Sequence, residues 1–520
     1  MKKIYIVLIS FLILASCSKD WVDVKPLGSQ TTAAFWQSPA DIDRASNAMY
    51  AGMSLEPTFG QNPFYMMAAS DDVVVGRNDD GDAVNVKNFN PTGSEYALNS
   101  TYVNYYQMMD KANQMIANID KATVADALKS RAKGEGYFMR GFIHFWIASI
   151  WGSKAQGVPF DGPENAEFQK RVAPQLPSVT DNYAQIISDL KTAAKLLPYF
   201  ESYPETDWGR AHKVAAWAYM VKTYAYWAQY DQSKWALIPS LCDSIKNQGK
   251  RSLLSNYKSV FTVANNWSSE YIWSVNSGLN GGSEFPGVIL ENQGWGKYNG
   301  WGYFHPTEEL YDEYEANDPR REVTILKFGD TFKYFGQDVR YSSSNSQTGF
   351  QINKYMEPFG YGTSAGTDPF INQNGDSPNT LLNLPLIRYA EILLLKAEAL
   401  IQMGQAAQAA GPINEVRARV GLAPISTTPT MTTLKHERRC ELACEWSDRF
   451  NDLKRWGDFD KIKMPLHGRL HADKTNPDSP YTIVVAWPAR SFDPNKNMAW
   501  PYNPYEIQLA NGAYKQNPGW

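Results

Sequence analysis

One stretch constrains the fold of this chain more than any other. Between Leu384 and Leu422 the sequence runs LPLIRYAEILLLKAEALIQMGQAAQAAGPINEVRARVGL. Ile387, Ala390, Leu394, Ala397 and Ile401 recur at steps of three and four, which puts them on one face of an α-helix, and Gly404 follows as a stop. Ile413, Val416 and Val420 make a second stripe, ended by Gly421 with Pro424 just beyond. Two such helices cover each other's apolar faces by folding back to back, so the pattern predicts a helical hairpin. Pro412 lacks an N–H, which predicts that the second helix starts there or kinks there. A third, charged helix is predicted over Glu437 to Asp458, ERRCELACEWSDRFNDLKRWGD.

The same period returns upstream. Ser38-Pro39 reads as an N-cap with proline at the first helical position, and Asp41 and Asp43 then meet the positive end of the helix dipole. Helices are predicted from Tyr105 to Lys121, Ala125 to Trp151, Asp181 to Leu197 and Gly209 to Tyr230. In the second of these, Tyr137, Phe138, Phe142, Phe145 and Trp146 form a stripe of the kind that fills helix–helix cores. These four helices make two more hairpins, and about three αα units are the minimum at which stacked repeats bury one another's faces. The acidic segment SDDVVVGRNDDGDAVNVKNF reads as loop with one short strand. Within it, Asp79-Asp80-Gly81-Asp82 reads as a solvated turn, since the spaced glutamate of a calcium loop is missing.

From Trp267 to Leu384 glycine, serine, asparagine and aromatic residues dominate, and helical period survives only near Pro306 to Ala316. Loops of this length in a compact protein are functional or disordered, and the density of rings favours function. The tail from Lys461 onward is again proline-rich, aromatic and irregular. The expected organisation is a leader over 1–16, a tether over 17–37 and one domain over 38–520. That domain divides into helical hairpins (38–260), a loop-rich ligand-binding region (261–383), a C-terminal helical core (384–460) and the tail (461–520). The fold class is mainly α.

Composition narrows the function. Over 520 residues, 43% hydrophobic and 20% charged side chains make a globular chain, and a formal net charge of -4 gives no basic footprint for nucleic acid. MKKIYIVLISFLILASC has two lysines, an apolar run too short to span a bilayer, and a small residue before Cys17, the marks of a signal peptide. Leu14-Ala15-Ser16-Cys17 is similar to a bacterial lipobox, in which lipid on the Cys17 thiol anchors the mature chain to a membrane. The other cysteines, Cys242, Cys440 and Cys444, are too few for a disulfide framework.

No phosphate-binding loop, G-x-S-x-G elbow or H-E-x-x-H motif is present. His436, Cys440 and Cys444 sit four apart, but at ~1.5 Å rise per residue the outer two are ~12 Å apart, too far for one zinc to take all three, which leaves a two-ligand site or, the better reading, core thiols. Glu437, Glu441, Glu445, Asp448 and Asp452 alternate with arginines and lysines at i,i+3 or i,i+4, which suits pairing on a helix surface or in its contact with a neighbour better than a glycosidase's carboxylates. No metal and no cofactor is expected. What remains is aromatic. Rings in the glycine-rich part, among them Phe285, Trp295, Tyr298 and Trp301, can stack on the C–H face of a sugar while neighbouring polar groups bond its hydroxyls. Trp273 instead lies in a strand-like alternation and is predicted to face the core.

Four pieces of the C-terminal part resemble the core of the SusD/RagB family. They are Ile387-Arg388-Tyr389-Ala390-Glu391, Lys396-Ala397-Glu398-Ala399, Ile413 to Arg419, and Glu437-Arg438-Arg439 with Arg455-Trp456-Gly457. Gly209-Arg210 before a helix and the closing Gln516-Asn517-Pro518-Gly519 fit as well. The resemblance implies tetratricopeptide-like hairpins and a surface-exposed outer-membrane lipoprotein without catalytic activity. Its implied role is to bind an oligosaccharide or polysaccharide as the lid of a SusC-like TonB-dependent transporter. It also implies ligand contacts near the first helix and the following loop, so Asp41, Asp43, Asp72 and Arg77 join the candidates. Peptide or another nutrient as cargo, and glycoside hydrolysis, are the alternatives.

Overall fold

The computed structural model describes residues 35–60, 64–76, 80–277, 302–334, 337–342, 346–356, 382–425, 427–446 and 448–520. The first helix, α1 (Pro39–Tyr50), starts as its sequence dictates. The Asp41 N–H donates to the Ser38 hydroxyl and the Ser38 N–H donates back to the Asp41 carboxylate, so two otherwise unpaired donors are satisfied.

The long helices α2 (Tyr96–Asn118), α3 (Asp126–Trp151), α4 (Val179–Leu196), α5 (Lys213–Trp227) and α6 (Ile238–Asn247) each pack on the one before. After the loop-rich region, α7 (Tyr389–Gln402) packs on α5 and α6, and α8 (Ala406–Arg419) folds back along α7. α9 (Met431–Leu442) then lies against α7, and α10 (Asp448–Trp456) follows it. The hairpins expected from periodicity are present, stacked as the family resemblance implies and held by the aromatic stripe of α3. Phe138, Phe142, Phe145 and Trp146 are buried, with the Phe142 ring 4.9 Å from Tyr219 and 5.1 Å from Phe59. Each such side chain contributes about 1.5–3 kcal/mol by leaving water.

Several boundaries differ from the periodic reading. Leu384–Arg388 is a strand, β8, and the helix begins only at Tyr389. Pro385 disfavours helical backbone at the residue before it, and β2 (Tyr271–Val275) offers an antiparallel partner that pairs Val275 with Leu384 and Tyr271 with Arg388. Trp273 is buried, as its alternation predicts. α8 starts at Ala406 and continues through Pro412, so the proline is not its first residue, and Ile413 and Val416 just beyond it are buried. The charged third helix is two helices, interrupted where Cys444 takes a left-handed backbone at φ 59°. Asp79 lies outside the described residues. Gly81–Lys87 is a helix rather than a turn: Asp80 accepts the Ala83 N–H at 3.1 Å, and Ala83 and Val86 face inward.

Among the described residues the strands form five two-stranded antiparallel ladders. Besides β2–β8 these pair β1 (Val73–Val75) with β3 (Phe304–Pro306), β4 (Ile325–Lys327) with β7 (Phe350–Ile352), and β5 (Thr331–Tyr334) with β6 (Gln337–Arg340). The tail, read as irregular, carries the fifth, a hairpin of β9 (Leu466–His471) and β10 (Tyr481–Trp487). Its period-two signal is Tyr481, Ile483 and Val485, which share the outer face.

Candidate functional site

The β1–β3 ladder brings together two segments that lie far apart in the chain. Val73 faces Pro306 and Val75 faces Phe304, and beyond the ladder the Gly76 N–H donates to the Tyr303 carbonyl at 2.7 Å. Glycine is required there, because a Cβ on residue 76 would stand 2.1 Å from the Gly302 oxygen. Gln347 locks the junction. Its side-chain amide donates to the Gly76 carbonyl at 2.9 Å, and its N–H donates to His305 Nδ1 at 3.1 Å. Burial pushes the His305 pKa down to about 4, so the ring is neutral at pH 7 and accepts that bond at Nδ1.

The helix Gly81–Lys87 ties α2 to the same corner. Asp82 accepts the Ala97 N–H at 2.9 Å, and the Asn85 amide donates to Glu95 at 3.2 Å. Tyr96, the first residue of α2, is thereby held with 59% of its surface exposed. A large ring fixed by a helix start and open to solvent is able to stack on an apolar face.

The predicted ligand residues fall into two groups. Phe285, Trp295, Tyr298, Trp301 and Arg77 lie outside the described residues, yet Arg77 directly follows Gly76 and Trp301 directly precedes Gly302, so both segments root at the β1–β3 junction. The three aspartates are occupied by other work. Asp41 is 2% exposed and caps α1. Asp72 is 1% exposed and accepts Arg439 Nε at 2.8 Å. Asp43 remains half-exposed and pairs with Arg131 at 2.8 Å. Sequence reasoning missed Tyr96, because it started the helix at Tyr105. Tyr96 stands half a turn round the helix from Tyr105, off the buried stripe, so the apolar periodicity gave no signal for it.

The carboxylates considered for catalysis are buried in a charge network instead. Arg388 reaches Glu441 at 2.6 Å, Glu445 at 2.7 Å and Glu270 at 2.8 Å. Arg320 reaches Glu437 at 2.5 Å and Glu441 at 3.1 Å, while Lys354 reaches Glu445 at 2.7 Å. Burial alone would raise the Glu441 pKa, but Arg419, Arg388 and Arg320 hold it well below the usual carboxylate range. Asp452–Arg455 follows the expected i,i+3 spacing at 2.8 Å, and the pairs of Glu437, Glu441 and Glu445 join their segment to neighbouring elements, the second of the two structural roles expected of them. Asp448's side chain lies outside the described residues. Cys440 and Cys444 are buried thiols whose pKa burial raises, so they are core. His467 and His471 fall on a strand, with His467 bonded to Glu309.

A family model described as the SusD family matches residues 259–520, which is half of the chain. The chain belongs to the SusD family. A second model, described as starch-binding associating with outer membrane, matches residues 20–225. The SusD-like protein P2 of Formosa agariphila is 24% identical over 565 residues, covering 100% of both chains. A SusD-like protein of Bacteroides ovatus is 22% identical over 486 residues, covering 89% of this chain and 84% of its own. Among solved structures, a SusD-like protein of Bacteroides fragilis superposes with a TM-score of 0.80 at 22% identity, covering 95% of this chain and 100% of that one. Surface glycan-binding protein A of Bacteroides thetaiotaomicron, in complex with laminarihexaose, gives 0.72 at 21% identity over 92% and 99%. The SusD-family motifs of the sequence converge in space. Glu391 meets Arg438 at 3.1 Å, and Glu398 accepts from Arg455 and from the Trp456 indole, both at 2.7 Å.

Proposed function

We propose that this SusD-family protein is a lipoprotein of the outer-membrane surface, anchored through Cys17, that captures an oligosaccharide or polysaccharide. It then delivers that glycan to a SusC-like TonB-dependent transporter and breaks no bond itself. The observation that carries the reading is the junction at Gly76 and Gly302. It roots the Arg77 and Trp301 segments beside a corner where Tyr96 stands open on a rigid helix start. Tyr96 and the rings of Phe285, Trp295, Tyr298 and Trp301 supply apolar walls for sugar C–H faces, and Arg77 supplies donors to hydroxyls. The complex of surface glycan-binding protein A with laminarihexaose supports the ligand class.

The test is calorimetric titration of the lipid-free protein with oligosaccharides of laminarin, starch and xylan type, with reducing ends and chain length followed in parallel. Binding without shortening is expected, and Tyr96→Ala, Trp295→Ala and Trp301→Ala each weaken it roughly tenfold, equal to about 1.4 kcal/mol. Accumulating reducing ends would make the protein a hydrolase. Binding of peptides with indifference to every glycan would change the cargo.

A further inference from the structure

The hairpin β9–β10 carries a second aromatic face, away from the junction. In its register Tyr481 stands opposite His471, Ile483 opposite Arg469 and Val485 opposite His467, so these six side chains share one side of the ribbon. Tyr481 is 48% exposed, and Ile483 and Val485 are 50% and 60% exposed. Across from Tyr481, Phe328 and Lys327 at the end of β4 and Gly349 and Phe350 at the start of β7 close a cleft of about 460 Å³. That volume lies within the ~300–1,000 Å³ of ordinary small-ligand sites.

The cleft is built rather than accidental. The Arg469 guanidinium lies 4.4 Å from the Tyr481 ring centroid and 4.8 Å from that of Tyr311, and its Nε donates to Glu308 at 3.2 Å. The Tyr481 ring is therefore fixed while its surface stays open. His471 stands between two rings, 5.1 Å from Phe328 and 5.4 Å from Tyr481, and its Nδ1 bonds the Ser479 carbonyl at 2.9 Å. Asp478, in the turn that closes the hairpin, borders the same cleft. An open phenol ring flanked by a carboxylate, an imidazole and a lysine is sugar chemistry again: one apolar face and a few polar groups at its edge.

The two sites adjoin. Gln347 bonds the Gly76 carbonyl, and the next residue, Thr348, accepts the Arg469 N–H at 2.8 Å. Gly349 lies against this strand so closely that a Cβ would stand 2.1 Å from the Arg469 oxygen.

Building on the glycan reading above, we infer that the binding surface extends from the Gly76–Gly302 junction to Tyr481, and that the ligand is a chain of several sugar units lying across both.

The experiment titrates size-graded laminarin, starch and xylan oligosaccharides into wild type, Tyr481→Ala and Asp478→Asn. Tyr481 is exposed, so its removal leaves the fold intact. In wild type the affinity climbs with chain length past the shortest binder. In both variants that climb is cut about tenfold, while the shortest binder keeps its affinity. Variants indistinguishable from wild type at every length overturn the extended site and leave the glycan reading standing. Loss of co-purification with a barrel protein in Tyr481→Ala or Ile483→Ser, with glycan affinity unchanged, makes this a protein-docking face and equally overturns it. If no series binds wild type, the glycan reading and its extension fall together.

Discussion

The centre of the molecule and its open corner use the same kinds of side chain for opposite ends. Around Arg388 the arginines, lysine and glutamates are buried and face one another, each within about hydrogen-bond distance of an opposite charge. At Tyr96 and Tyr481 the rings are placed as firmly, one on a helix start and one beside Arg469, yet each keeps about half of its surface open to solvent. Fixation is common to both regions, and satisfaction separates them. A charge surrounded by partners specifies a fold, whereas a ring held from behind and left open specifies a ligand.

That contrast breaks most visibly at Arg388. Arg388→Met leaves Glu441 and Glu445 buried with fewer partners, and a loss of about 3–5 kcal/mol is expected in urea unfolding. An exposed-site change of the same size class should lose almost nothing. A smaller effect is expected at Gly76→Ala, where the added methyl meets Gly302: about 1–3 kcal/mol, with glycan affinity falling because the two rooted segments are forced apart.

The Glu313–His436 pair sharpens the comparison through pH. Burial opposes ionisation of Glu313, but His436 and Arg439 hold its pKa down at about 2. Its contribution is therefore complete above the unfolded value of ~4.3 and is lost as pH falls toward about 2. His436 is shifted the other way, chiefly by its hydrogen bond to Glu313 and against burial. Its contribution is complete below ~6.5 and is lost as pH rises through the raised folded value. Urea midpoints measured from pH 2 to 9 should fall at both ends, and Glu313→Gln should flatten both slopes. Smallest of all, Tyr96→Ala should change stability by less than about 0.5 kcal/mol while weakening glycan binding, which separates the open corner from the core in one variant.

Legibility followed the same division. The hairpins, the α3 stripe, the Ser38 cap and the buried thiols were readable because each depends on local spacing or on burial of apolar surface. The strand at Leu384–Arg388 was misread because a partner elsewhere, β2, decides it, whereas Gly81–Lys87 carries a local signal in its Asp80 cap that the glycine and acidic residues around it masked. Asp41 and Asp72 looked available for ligand because a sequence shows a carboxylate without its neighbours. Tyr96 was passed over because exposure is not a local property.

By itself the sequence determined the family and the stack of amphipathic hairpins, since periodicity, caps and motif order are written along the chain. Only the tertiary structure decided which charges pair and which rings stay open. Arg388 with Glu441, Gly76 with Gly302 and Arg469 with Tyr481 each join residues that are distant in sequence, and their energy exists only once the chain has closed around them.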